Sequence, residues 1–187
     1  MKVFSTLRTL SWRKDYLSKS AKRTLVLSLA MPHIALSTAA FTNMNVHGQN
    51  RMQILVNSCL CFIRSTPRFR PRSRVRSSLR ILSFYNLRKH RTLCSVHKLV
   101  YGKHSAYLKE ILLTLTPRSQ RRVAARSFAV PHFRHDAYQK SFIVQGIRAW
   151  NKLPPLLRKT ASHSAFKRAL KRHLLAENAT RDRSMYF

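Results

Sequence analysis

The segment Ser141–Leu175, SFIVQGIRAWNKLPPLLRKTASHSAFKRALKRHLL, decides the fold class. Ile143, Gly146, Ile147 and Trp150 fall at i, i+3, i+4 and i+7, which is one face of a helix over 140–152. Pro154 and Pro155 stop that helix. Ser162 or Ser164 caps the next one. In it, Phe166, Ala169, Leu170, His173 and Leu174 form an apolar stripe, with Lys167, Arg168, Lys171 and Arg172 on the other face. Two amphipathic helices in 35 residues need a helical core to pack against.

Working outward, the same period recurs. Phe4, Leu7, Leu10 and Leu17 suggest a short amphipathic helix over 4–17, and residues 20–30 read as a helix ending before Pro32. Residues 24–50 carry no Lys, Arg, Asp or Glu, yet only Leu25–Ala40 is fairly apolar, which is short for a membrane span. A buried helix–break–helix segment is the reading, and no membrane association is expected. Leu55, Cys59, Phe62 and Ile63 stripe a helix over 51–63; Leu93, Val96, His97 and Val100 stripe another over 86–101. Tyr107, Leu108, Ile111 and Leu112 suggest a short helix before Pro117, and Phe128–Val130 a short extended segment. The expectation is a mostly α, irregular bundle of six or seven helices with basic connectors. Its parts are a helical segment 1–63, an Arg-rich connector 64–91, a C-terminal helical region 92–176 and a frayed tail 177–187.

Charge is the other strong signal. The 187 residues hold 37 Lys+Arg against 5 Asp+Glu, a formal net charge of +32. Self-repulsion of this size makes the chain marginally stable alone. The acids are Asp15, Glu110, Asp136, Glu177 and Asp182. Their scatter argues against paired-carboxylate hydrolysis and two-metal phosphoryl chemistry. There is no P-loop, G-x-G-x-x-G, G-x-S-x-G, H-E-x-x-H or adjacent Asp-Asp. No catalytic residue, cofactor or small-molecule substrate is expected. Cys59, Cys61 and Cys94 lack zinc spacing, so no metal is expected, and an odd count without a framework suits a reducing compartment. An intracellular setting, cytoplasmic or nuclear, follows as the expectation. Residues 1–23 have a transit-peptide composition, but so does the rest of the chain.

The basic residues cluster. Arg64, Arg68, Arg70, Arg72, Arg74, Arg76 and Arg80 form a first run, continued by Arg88, Lys89 and Arg91; its first half, interrupted by Pro67 and Pro71, reads as an extended linker. Arg118, Arg121, Arg122 and Arg126 form a second. Guanidinium forks fit phosphate oxygens, and Phe69, Phe84 and Tyr85 are placed to stack on unpaired bases. The expected partner is the RNA or DNA phosphate backbone, bound without base specificity. His97 and His173 sit on apolar faces as structural histidines, and Trp150 reads as core.

The opening segment resembles the C-terminal, post-palm region of reverse-transcriptase polyproteins from arthropod non-LTR retrotransposons of the jockey type. That pattern is F-x₃-G/A-x-R-x-W-N-x-L-P, a Ser-containing spacer, then F-K-x₂-L-K. Phe142, Gly146, Arg148, Trp150, Asn151, Leu153 and Pro154 fill the first part; Phe166, Lys167, Leu170 and Lys171 fill the second. Upstream, Arg118–Pro131, LVYGKHSAYL at 99–108, QILVNSCLCFI at 53–63 and Leu25–Phe41 resemble further blocks in the family's order. Ala106, Cys61 and Ala35-Leu36 depart from them. The resemblance implies a truncated, catalytically inactive fragment of an RNA-directed DNA polymerase, without its endonuclease or palm aspartates, and makes the helical segment 1–63 thumb-like. The alternatives are an independent basic nucleic-acid-binding module or a membrane- or organelle-targeted basic protein.

Overall fold

The computed structural model describes residues 2–12, 14–40, 44–65, 72–102, 107, 110, 126–132 and 135–184. The helices are α1 (Lys2–Ser11), α2 (Lys19–Leu25), α3 (Met31–Ala40), α4 (Val46–Arg64), α5 (Arg72–Leu79), α6 (Phe84–Tyr101), α7 (Asp136–Gln139), α8 (Phe142–Asn151), α9 (Pro155–Arg158) and α10 (His163–Ser184). No strand occurs among the described residues. A π-helical segment, Val26–Ala30, joins α2 to α3 without a break. If that rod is counted once and the four-residue turns α7 and α9 are set aside, seven helices remain among the described residues. The mostly α reading holds.

Two compact units divide the chain: residues 1–88 with 174–187, and residues 89–173. The first is built on α4. Val56, Cys59, Leu60 and Ile63 of α4 pack with Leu7, Val26, Ala30, Ile34, Leu79, Ile81 and Phe84 in one apolar cluster. Asn45 caps α4, its side-chain oxygen accepting from the Gly48 N–H at 2.8 Å. Gln53 on α4 accepts from the Phe84 N–H at 2.8 Å and so ties the start of α6 to the same helix. In the uncharged stretch Val26, Ala30, Ile34 and Ala35 are buried while Leu27, Leu29 and Leu36 are exposed, so it is one-sidedly rather than wholly buried, and no described helix is long and apolar enough to cross a membrane.

Two local expectations need correction. The helix does not end before Pro32. A proline ring clashes with the carbonyl four residues back and supplies no N–H. The π segment shifts the register here, with the Met31 N–H bonded to the Val26 carbonyl five residues back, and the rod runs on. The first basic run is also not extended throughout, since Arg72–Leu79 is helical. It closes in a Schellman motif around Arg80 at φ 53°. The Ile81 N–H bonds the Arg76 carbonyl at 3.2 Å and the Arg80 N–H the Ser77 carbonyl at 3.1 Å. Val75 and Leu79 are the apolar anchors that outweigh the intervening charges.

The second unit is built where α6, α8 and α10 meet. Its buried residues include Leu93, Val96 and His97 of α6, Val144, Ile147 and Trp150 of α8, and Phe166 and Leu170 of α10. Ser141 caps α8, accepting from the Val144 N–H. A Cβ at Gly146 would stand 2.9 Å from Val96 Cγ2, so glycine is what lets α8 approach α6 this closely. Ser162 directly precedes α10; its carbonyl accepts from the Phe166 N–H at 2.9 Å, and its hydroxyl bonds Ser164 at 3.1 Å. The backbone remains helical through Ser184, where fraying was expected.

Candidate nucleic-acid interface

Of the sequence-predicted basic residues, Arg64, Arg72, Arg74, Arg76, Arg80 and Arg126 are described. Arg64 is exposed at the end of α4 and donates to Ser78 Oγ at 2.8 Å. Arg68 and Arg70 lie outside the described residues. Arg72, Arg74 and Arg76 are carried on α5, where Arg76 is half-buried; Arg80 is exposed in the turn that follows. Arg118, Arg121 and Arg122 also lie outside the described residues, and Arg126 is exposed at the end of that run.

The stacking aromatics need correction too. Phe84 is fully buried in the first unit's core and offers no face to a base. Tyr85 is half-exposed, and Phe69 lies outside the described residues. Trp12 and Tyr16, which composition did not single out, are the most exposed aromatics described, at 80% and 92%.

The tryptophan motif turns out to be a clamp. Trp150 is fully buried, and its indole N–H donates to the Arg126 carbonyl at 2.9 Å. Asn151 takes both polar groups of one residue. Its Oδ1 accepts from the Phe128 N–H at 3.0 Å, and its Nδ2 donates to the Phe128 carbonyl at 2.7 Å. This is how a strand neighbour would bond Phe128, so one side chain takes the place of a sheet partner for that residue. Arg158 is buried; its Nε donates to the Leu153 carbonyl at 3.1 Å and its Nη1 to Ser127 Oγ. Three consecutive residues, Arg126, Ser127 and Phe128, are thereby pinned by α8 and α9.

The remaining motif residues support that clamp. Leu153 is buried, and Pro154 is the N-cap of α9, whose first residue Pro155 has a fixed φ and a missing N–H that cost nothing there. Phe142 and Arg148 are half-buried on α8. Phe166 is fully buried, its ring 5.8 Å from Trp150. Lys167 is exposed, while its carbonyl faces His90 Nε2 at 3.4 Å.

His97 is a buried structural histidine, as expected. It stacks between Phe166 at 4.2 Å and Tyr101 at 4.7 Å, and its Nε2 bonds the Thr160 carbonyl at 2.8 Å. A carbonyl only accepts, so the proton sits on Nε2 and Nδ1 is left facing His163 Nδ1 at 3.3 Å. Desolvation lowers its pKa below the ordinary value, and the neighbouring His163 adds to that. His90 is lowered by burial first and then by Lys167, Arg91 and Lys171. Cys59 is pushed up to about 12 by burial and stays a thiol.

Sequence reading missed two cations. Lys22 is buried, and its ammonium donates to Ser65 Oγ at 2.7 Å. Arg158 looked like one more solvated charge after the proline pair. Nothing in its local pattern marks it, because its partners lie 5 and 31 residues back. Among the described residues no three His, Cys, Asp or Glu side chains gather. No protein-family model matches the chain, and neither a curated protein nor a solved structure matches it.

Proposed function

We propose that the chain is a non-catalytic helical module that binds the phosphate backbone of RNA or DNA without base specificity, akin to the region after the palm in jockey-type non-LTR reverse transcriptases. The observation that carries the binding part is the clamp of Trp150, Asn151 and Arg158. It fixes the end of an Arg-rich run to a rigid core and leaves the Arg126 side chain exposed. A net charge of +32 supplies long-range attraction to a polyanion. The ordered motif series supports the kinship.

The test of binding is the affinity for a labelled single-stranded RNA across a salt series. Each contacted phosphate contributes about −0.7 to the slope of log K against log salt. A slope steeper than about −2, equal for unrelated sequences, is the expected result. A flat dependence overturns backbone contact as the driving force. The kinship has its own test in the neighbouring genomic DNA. A palm-coding sequence, intact or interrupted by stops, is expected upstream, and its absence counts against that part of the reading.

A further inference from the structure

Arg158 is an arginine only 6% exposed whose partners are all neutral. Of its five N–H groups, Nε–H serves the Leu153 carbonyl and one on Nη1 serves Ser127 Oγ. Among the described residues, neither it nor Arg126 has a carboxylate partner. Buried charges are normally paired, because neutral oxygens orient a guanidinium without neutralising it. Arg126 immediately precedes Ser127, the residue that accepts from Arg158. The Arg126 guanidinium lies 4.7 Å over the Tyr101 ring, while the Tyr101 hydroxyl donates to the Arg158 backbone carbonyl. One ring therefore supports both arginines. Arg126 holds a left-handed backbone at φ 49°, a conformation kept only where surroundings enforce it, and here the Trp150 indole bonds its carbonyl. Ser127, having accepted from Arg158, retains its own O–H as a donor.

We infer that Arg126, Ser127 and Arg158 form a binding site for one phosphate group of a nucleic-acid backbone. Two guanidinium forks and a hydroxyl, with no carboxylate among their partners in the described residues, match an oxyanion that presents several acceptor oxygens. The inference rests on the nucleic-acid reading above and gives it a specific contact.

The experiment uses the full chain in two arms. In the first, thermal unfolding is followed while inorganic phosphate replaces chloride at constant ionic strength. A saturable rise in Tm is expected for the unsubstituted chain and for Arg168→Gln, which removes an exposed charge on α10. The rise should be lost in Arg126→Gln, whose side chain is exposed. In the second arm, Arg126→Gln should flatten the RNA salt slope by roughly 0.7, one single-strand phosphate, and Arg158→Lys should weaken binding through loss of the fork. An equal phosphate response in the unsubstituted chain and Arg126→Gln overturns the site. So does an equal loss in Arg168→Gln, which would mean diffuse charge. An Arg126-dependent phosphate response with an unchanged RNA slope overturns the backbone assignment and leaves a site for free phosphate. If the unsubstituted chain binds RNA with no salt dependence while that response persists, the general nucleic-acid reading fails and the anion site stands apart from it.

Discussion

Asn151 satisfies two backbone groups of Phe128 with one side chain, a bond pattern no other residue type but glutamine could supply. Its removal leaves a half-buried N–H and C=O without partners. At about 1 kcal/mol for each bond, Asn151→Ala should destabilise the chain by about 2 kcal/mol in urea unfolding. An effect below about 0.5 kcal/mol would mean that water replaces the clamp. His97 sets a pH limit at the same scale. Its folded pKa lies below the ordinary value of 6.5, and so does that of His90. The unfolded chain therefore binds more protons than the folded one as pH falls through about 6.5, so stability is held above that value and lost below it. The urea midpoint should drop between about pH 7 and pH 5, and His97→Gln should shrink the drop. A midpoint flat across that range would show that neither histidine is linked to folding.

Between elements, α6 and α8 approach closely at Gly146. Ala would gain about 1 kcal/mol in helix propensity over Gly. Its Cβ would also meet Val96 Cγ2 at 2.9 Å, and overpacking costs about 1–3 kcal/mol. Gly146→Ala should therefore destabilise the chain modestly, but should stabilise it by about 1 kcal/mol when made on top of Val96→Ala. Equal effects in the two backgrounds, read from urea unfolding, would remove Val96 as the reason for the glycine. Helix periodicity itself was legible. The stripes over 51–63, 86–101, 140–152 and the last helix lie where the sequence places them, because each apolar face is buried by a neighbour. The failures came where a tertiary contact reversed a local rule. Pro32 sits inside a helical rod because a π turn absorbs it, and Arg72–Leu79 is helical because Val75, Leu79 and Ile81 reach the α4 core.

For the whole molecule, a charge of +32 opposes compaction. Added salt shortens the Debye length from about 10 Å at 0.1 M to about 3 Å at 1 M and relieves that repulsion. The thermal midpoint should rise with sodium chloride over this range, by about 2–4 °C for each kcal/mol relieved. A fall would indicate that specific ion pairs outweigh the general field. The same salt should weaken RNA binding, so stability and affinity are expected to move in opposite directions in one titration series.

Composition and periodicity alone determined the helical class, the large excess of positive charge and the core roles of Trp150 and His97, since these depend on residue type and on spacing along a single element. Tertiary structure decided which cations matter. Arg158 and Arg126 are 32 positions apart, and only the folding of α8 and α9 against residues 126–128 brings their backbones and Ser127 together. A local pattern records which face of a helix is apolar. It holds no record of which distant backbone that face, or the turn after it, will grip.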